Sequence, residues 1–146
     1  LQTFSKAWGL ANIRVGMAFG NQLIISVLNK IKYPYNVNGV SQQIIIKSLD
    51  YVSKKNKIVE KIISEKKILT KALLNINCIE HVFPSDANFI LAKVHNANKI
   101  YDYLLENKII VRNRANMIHC NECLRFTVGT EEENKKLIEI LSKYED

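Results

Sequence analysis

A lysine and an arginine near the start of the chain are spaced so that they can serve one chemical purpose. Lys6 follows Ser5, and Arg14 comes eight residues after the lysine. A lysine amine condenses with an aldehyde only if it is neutral part of the time, which requires partial desolvation or nearby positive charge. The arginine fork and a serine hydroxyl can both donate to a phosphate. Either feature alone is more commonly incidental, but together they predict the anchor of a phosphorylated aldehyde cofactor.

Arginine is otherwise scarce, and most of the 21 basic residues are lysines. The arginines are Arg14, Arg112, Arg114 and Arg125. In residues 124–128 side chains alternate between two faces, so Arg125 should point away from the core. An arginine fixed on a strand is suited to binding an anion, and Arg112, at the end of the preceding predicted strand, can converge on the same place. The alternative reading of each is a solvated charge at the edge of a sheet.

Residues 3–16 carry a resemblance to a known family. Their sequence, Thr-Phe-Ser-Lys-Ala-Trp-Gly-Leu-Ala-Asn-Ile-Arg-Val-Gly, resembles the lysine segment of the pyridoxal-phosphate-dependent aminotransferases of the aspartate aminotransferase fold. The resemblance implies an α/β fold, pyridoxal 5'-phosphate as the cofactor and transamination as the reaction. It also implies that Lys6 is the catalytic residue that holds the cofactor covalently, and that Ser5 and Arg14 contact the cofactor phosphate.

Residues 33–38, 110–112 and 124–130 most resemble the histidinol-phosphate branch of that family. This implies a step of histidine biosynthesis in which L-histidinol phosphate gives its amine to 2-oxoglutarate, yielding imidazole acetol phosphate and glutamate. It implies that Arg112 and Arg125 hold the substrate phosphate ester, whereas Arg114 has no matching role and is predicted to lie on the surface. Two readings of Tyr33, Tyr35 and Asn36 stay open, the substrate entrance or the packing of a hinge.

The resemblance covers this chain but only the later part of such an enzyme. It implies that residues 1–37 end the large cofactor-binding domain and that residues 38–146 form the connecting helix and a small C-terminal α+β domain. It further implies a homodimer for the complete enzyme and a chain that is inactive alone. Other readings are an aminotransferase for aromatic or acidic amino acids, a decarboxylase or regulator of the same family, and a non-catalytic or split remnant.

Composition and charge limit the cellular compartment and the classes of partner that are expected. The apolar fraction is 47% and no apolar run approaches the ~20 residues of a membrane span, so a soluble cytoplasmic protein without a membrane partner is expected. The net charge of +7 comes mainly from lysines on amphipathic stretches, without interleaved aromatic residues. A nucleic-acid partner is therefore not expected.

The three cysteines suggest a reduced, intracellular protein. Cys120 and Cys123 form a CxxC motif with His119 just before it, but no second CxxC completes a zinc site. A thioredoxin-like motif would open a helix, whereas this one leads into a predicted strand. A loop with incidental thiols and no metal is favoured.

Periodicity gives a coarse order of elements. Apolar residues at helical spacing predict a helix with one buried face at residues 21–32, which Pro34 ends. Ser41 is the expected N-cap of the next helix, and the period then continues to Ile76 in one long helix or two joined end to end. Strands are predicted at residues 81–83, 87–94, 109–112 and 124–128, and helices at residues 98–107 and after Thr130, whose pairing with Glu133 predicts a capping box.

Overall fold

The computed structural model describes residues 1–145, which group into two compact units, residues 1–59 and the residues from 60 onward. The division implied by the resemblance, at residues 37 and 38, concerns the domains of a complete enzyme and stays a prediction. No helix within residues 1–145 combines the length and the apolar character needed to cross a membrane.

The first unit begins with a small antiparallel hairpin and continues with helices. Its strands are β1 (Gln2–Thr3) and β2 (Gly16–Met17), with a 3₁₀ helix at Ala11–Ile13 between them. Its helices are α1 (Gln22–Ile31), α2 (Gly39–Leu49) and the start of α3 (Val52–Leu73), which continues into the second unit. Of the two arrangements predicted for the long helical region, the structure has two helices, α2 and α3.

The predicted N-cap of the second helix was wrong. Helix α2 begins at Gly39, and the cap is Asn38, whose Oδ1 accepts a hydrogen bond from the Ser41 backbone N–H at 2.8 Å. Asparagine is among the strongest N-cap residues, and here it satisfies a free amide of the first turn. Ser41 is instead buried inside the helix, where its hydroxyl donates to the Ile13 carbonyl at 3.1 Å. The serine thus ties α2 to the short 3₁₀ helix.

The bounds of α1 agree with the prediction, but its predicted buried face is exposed. The apolar side chains of that face are 41% to 76% exposed, and they are Leu23, Ile24, Val27, Leu28 and Ile31. The period of the apolar residues is helical, as expected. Burial also needs a covering surface, however, and no other element of the residue 1–59 unit covers this one.

The second unit is an antiparallel four-stranded sheet with helices. The strand order is β3-β4-β6-β5, and the strands are β3 (Ile79–Val82), β4 (Phe89–Val94), β5 (Arg112–Asn113) and β6 (Cys123–Thr127). The helices are α4 (Ala97–Glu106) and α5 (Glu131–Ser142). Alternate residues of the two central strands are buried in one core with both helices, among them Ile90, Ala92, Leu124 and Phe126. Alternation along β6 therefore places Arg125 on the face away from this core, as predicted.

Two local hydrogen-bonding features of this unit set where a strand and a helix begin. The strand predicted at residues 109–112 is observed only as β5, which begins at Arg112. It begins later because Ile109 still takes part in the turn that closes the end of α4, where its amide donates to the Leu104 carbonyl at 2.8 Å. The predicted capping box is confirmed, with Thr130 and Glu133 each bonding the other's backbone amide. A Cβ on Gly129 would lie 2.7 Å from the Glu133 carboxylate, so a larger residue before the cap would push the Glu133 side chain out of its place in the capping box.

Candidate active site

The hairpin of β1 and β2 brings Ser5 and Arg14 to the same end. Strand pairing matches Thr3 with Gly16, and the Phe4 amide donates to the Val15 carbonyl at 3.4 Å. Ser5 and Arg14 are the next residues of the two chains beyond this bond. The eight residues between Ser5 and Arg14, which include the 3₁₀ helix, connect the two chains, and the two predicted phosphate donors stand at the two ends of this connection.

Ser5 keeps a proton that it can donate. The Thr3 hydroxyl accepts from the Ser5 backbone N–H at 3.1 Å and donates to Ser5 Oγ at 2.9 Å. Because Ser5 Oγ is the acceptor of that bond, its own hydroxyl proton is left for another oxygen. The arrangement fixes the serine backbone and leaves its hydroxyl suited to an anion.

Arg14 has an unusual backbone that directs its side chain. Its φ of 53° and ψ of 43° lie in the left-handed region, which is costly for a residue with a Cβ. Its Nη1 donates to the Ala11 carbonyl at 3.3 Å, so the guanidinium is folded back over the 3₁₀ helix. The remaining N–H groups of the fork are available to an acceptor.

Lys6 lies at the surface of the turn between the two strands. The Gly9 amide closes this turn on the Lys6 carbonyl at 2.9 Å, and Gly9 takes a φ of 67° that glycine adopts without strain. The Lys6 side chain is exposed, so the described residues do not supply the desolvation expected for its amine. The exposure of Lys6 has a local cause, because a turn that follows a two-residue strand has no neighbouring element within the turn to cover its side chains.

Arg112 and Arg125 lie directly opposite each other on paired strands. The register of β5 and β6 matches Arg112 with Arg125. Residues opposite each other in an antiparallel pair have their side chains on the same face. The convergence predicted from the sequence is therefore present, and it places two guanidinium groups where like charges repel.

The surroundings of Arg125 suit it to binding an anion. Its guanidinium carbon lies 4.7 Å from the centre of the Phe89 ring, and its buried Nε has no hydrogen-bond partner among residues 1–145. Burial, with the charges of Arg114 and Arg112, lowers the pKa of Arg125. Each of these effects is relieved when a negatively charged group binds beside it.

Sequence reasoning missed Arg114 and Phe89. Arg114 was predicted to be a surface residue, but it is half-buried and its charge acts on Arg125. Its position two residues after Arg112 could have shown this, because residues two apart on a strand share a face. No sequence pattern indicated Phe89, because its contact with Arg125 depends on the pairing of β4 with β6.

The other residues singled out from the sequence lie after α1 and in the turn before β6. Tyr33 and Tyr35 are 84% and 98% exposed. Cys120 and Cys123 are the ends of a turn closed by a 3.0 Å backbone hydrogen bond that leads into β6. Cys123 is buried, which raises the pKa of its thiol. The chemistry of the described residues therefore concentrates at the hairpin of the first unit and the arginines of the second.

Comparison with known proteins decides the family. The family model described as aminotransferase class I and II matches residues 1–141. The chain belongs to this family. The match includes the segment of Ser5, Lys6 and Arg14 as well as the strands that carry Arg112 and Arg125, so both groups belong to parts of the class I and II aminotransferase architecture.

Individual members of the class I and II aminotransferases are similar over nearly the whole chain. Histidinol-phosphate aminotransferase of Flavobacterium psychrophilum is 51% identical over 96% of the chain and 40% of that protein. The enzyme of the same name from Bacteroides fragilis is 52% identical over 99% of the chain and 42% of that protein. The chain thus spans about 40% of the length of the curated relatives it matches.

A solved structure gives the same fold for this aminotransferase chain. The crystal structure of the histidinol-phosphate aminotransferase from Clostridium acetobutylicum is 27% identical, with a TM-score of 0.81. The match covers 95% of this chain and 43% of that one. The α/β fold expected from the resemblance is thereby confirmed for the part of the architecture that these residues form.

Proposed function

We propose that the polypeptide containing this chain is a pyridoxal-phosphate-dependent aminotransferase that transfers the amine of L-histidinol phosphate to 2-oxoglutarate in histidine biosynthesis. The observation that carries the proposal is the pairing of Arg112 with Arg125 on one sheet face, in a chain about half identical to enzymes of that name. Neither arginine forms an ion pair with a carboxylate among residues 1–145. A phosphorylated substrate supplies the missing counter-charge.

The donors of the first unit fit the proposed cofactor. The Ser5 hydroxyl keeps a free proton and Arg14 keeps free N–H groups at the base of one turn, which suits a phosphate. The Lys6 amine projects from the same turn and is the only amine-bearing side chain between these two residues. Pyridoxal phosphate would bind through these three residues and would supply an electron sink for the carbon that loses or gains a proton.

The residues of this chain have distinct tasks in the proposed reaction. Lys6 Nζ would accept the proton from the substrate carbon that bears the amine and would deliver it to the bound cofactor, and the second half of the reaction would reverse these transfers with the amine acceptor. Ser5 and Arg14 fix the phosphate end of the cofactor, so that its reacting end stays within reach of Lys6. Arg112 and Arg125 orient the substrate by its anionic end.

The experiment is a substrate comparison with the natural polypeptide that contains these residues. Histidinol phosphate, phenylalanine and aspartate are offered as amine donors with 2-oxoglutarate as acceptor. A clear preference for histidinol phosphate supports the proposal. Equal or better turnover of phenylalanine or aspartate favours the aromatic or acidic branch, and release of carbon dioxide favours a decarboxylase.

The role of Lys6 is tested separately. Lys6→Ala should abolish both turnover and the cofactor that borohydride fixes to the protein, because no other residue replaces the amine at that place. Lys30→Ala, which removes an exposed lysine of α1 in the same unit, is the matched control and should leave both unchanged. Retained transamination in Lys6→Ala would refute the proposed mechanism.

We also propose that the complete protein is a cytoplasmic homodimer. Cys78, Cys120 and Cys123 form no disulfide bond among residues 1–145, which suits a reducing compartment, and the substrates are small, highly polar metabolites. The exposed apolar face of α1 is the kind of surface that proteins bury in further contacts. Light scattering of the natural polypeptide at its native concentration tests the dimer, and cell fractionation tests the compartment.

A further inference from the structure

Arg114 lies on the same face of the sheet as Arg112 and Arg125. Immediately beyond the end of β5 the Arg114 amide donates to the Cys123 carbonyl at 2.9 Å, so the pairing with β6 continues for one more residue. Side chains alternate along an extended chain, which places Arg114 beside Arg112 and diagonal to Arg125. Three of the four arginines of the chain therefore share one small area.

The backbone that carries Arg114 is held from both sides. The side chain of the intervening Asn113 donates to Asn98 Oδ1 at 2.8 Å and accepts from the Ala115 amide at 2.9 Å. The Met117 amide closes a turn on the Arg114 carbonyl at 2.9 Å. The fixed backbone holds the Cα of Arg114 in place, so its side chain extends from a constant position beside Arg112.

The charges of this area are not balanced within the protein. Arg112, Arg114 and Arg125 form no ion pair with a carboxylate among residues 1–145. The charge of Arg114 contributes more than that of Arg112 to lowering the pKa of Arg125, after burial, which is the larger cause. Three neighbouring cations without a counter-charge repel one another, and binding a doubly charged anion relieves that repulsion.

We infer that Arg114 is a third anion-binding residue, and that it makes this site select a phosphate monoester over a carboxylate. A carboxylate has two acceptor oxygens and one charge, which two arginines satisfy. A phosphate monoester has three terminal oxygens and up to two charges, which match a third guanidinium. The inference rests on the proposed function only in taking this anion to be part of the substrate.

The test measures anion binding directly, with inorganic phosphate and acetate as probes and the natural cofactor-loaded polypeptide as the protein. Titration calorimetry gives the two dissociation constants for the wild type, Arg114→Gln and Lys71→Gln. Lys71 is an exposed lysine of α3, so its variant removes the same charge outside the site. Arg114→Gln should weaken phosphate binding at least about tenfold and acetate binding less than about twofold. Lys71→Gln should change neither by more than about twofold.

Several outcomes would overturn the inference. They are unchanged phosphate binding in Arg114→Gln, an equal loss of phosphate and acetate binding, and a wild type that prefers acetate. If Arg114→Gln fails to fold, Arg114→Lys tests the inference instead, because lysine keeps the positive charge but lacks the forked donors of the guanidinium. An increase of about threefold in the phosphate dissociation constant of Arg114→Lys supports the inference, and no change refutes it.

The activity assay separates this inference from the proposed function. If histidinol phosphate is a substrate, Arg114→Gln should raise its KM at least about tenfold while the KM for glutamate changes less than about twofold. If histidinol phosphate is not a substrate but phosphate binding still depends on Arg114, the proposed function is wrong and the inference stands. If it is a substrate and both KM values respond equally, the inference is wrong and the proposed function stands.

Discussion

Asn134 donates from Nδ2 to Glu65 Oε2 at 2.9 Å, and both residues are buried. The same asparagine also joins the Gly129 backbone, donating to its carbonyl at 3.2 Å and accepting from its amide at 3.0 Å. One side chain thus links α3, α5 and the turn that follows the Arg125 strand. A buried carboxylate and a buried amide are tolerated together because each satisfies the other.

Removal of this link should cost much of the stability of the domain. Asn134→Ala should lower the free energy of unfolding by about 1–3 kcal/mol, because it leaves Glu65 and the Gly129 backbone without partners. Denaturant unfolding of the natural polypeptide measures the change. The control is Asn75→Ala, which removes an exposed hydrogen bond to the Lys71 carbonyl and should cost about 0.5 kcal/mol or less. Equal losses in the two variants would contradict the prediction.

The capping box of α5 should make stability sensitive to acid. The Thr130 amide donates to the Glu133 carboxylate at 2.7 Å, and this bond holds the pKa of Glu133 below its ordinary value. A carboxyl group with a lowered pKa stabilises the fold fully above its ordinary pKa, and this contribution is lost as the pH falls through the lowered pKa. Glu133→Gln keeps an acceptor for Thr130 but cannot titrate. Its melting temperature should therefore fall less than that of the wild type between pH 6 and pH 3, as scanning calorimetry can show.

Thr130 itself should have an effect at every pH. Thr130→Ala removes the hydroxyl that accepts from the Glu133 amide at 3.3 Å, and should cost about 1 kcal/mol of stability. Thr130→Ser keeps the hydroxyl and should retain most of it. The free energies of unfolding of the two variants at pH 7 measure this difference. An alanine variant as stable as the serine variant would show that the Thr130 cap does not stabilise the fold.

Arg14 should govern the affinity for the cofactor. Arg14→Gln removes the charge that faces the phosphate and should raise the dissociation constant for pyridoxal phosphate by about 10- to 100-fold. Lys32→Gln, an exposed charge of the same unit, should leave this constant nearly unchanged. Absorbance titration of the apoprotein gives both values. Unchanged affinity in Arg14→Gln would remove Arg14 from the proposed phosphate site.

Phe89 should support the function of Arg125. Its ring lies 4.7 Å from the guanidinium carbon of Arg125, a contact typically worth about 0.5–1 kcal/mol. Phe89→Leu should therefore raise the KM for histidinol phosphate by about two- to fivefold with little change in kcat. Phe83→Leu is the matched control, because Phe83 packs against His81 at the β3 edge of the sheet and is separated from Arg125 by β4. A decrease in kcat without a change in KM would argue against this role of Phe89.

The features that the sequence predicted correctly depend on neighbouring residues. The capping box needs only Thr130 and Glu133, which lie in one helical turn. The bounds of α1 follow from apolar spacing and from the Asn21 cap. The orientation of Arg125 follows from alternation along a single strand. The lysine segment was recognisable for the same reason, since Lys6 and Arg14 lie within one short stretch.

The remaining features depend on segments that are distant in the chain. The contact of Arg125 with the Phe89 ring of β4 and the match of Arg112 with Arg125 are set by strand register, which a single strand does not specify. The same is true of the Asn134 and Glu65 pair, whose members are 69 positions apart. The sequence by itself determined the chemistry of the two sites, because the required residue types are local. Only the tertiary structure decided that these arginines meet Arg125, because the pairing of β5 with β6 brings Arg112, and with it Arg114 two residues on, to the Arg125 strand.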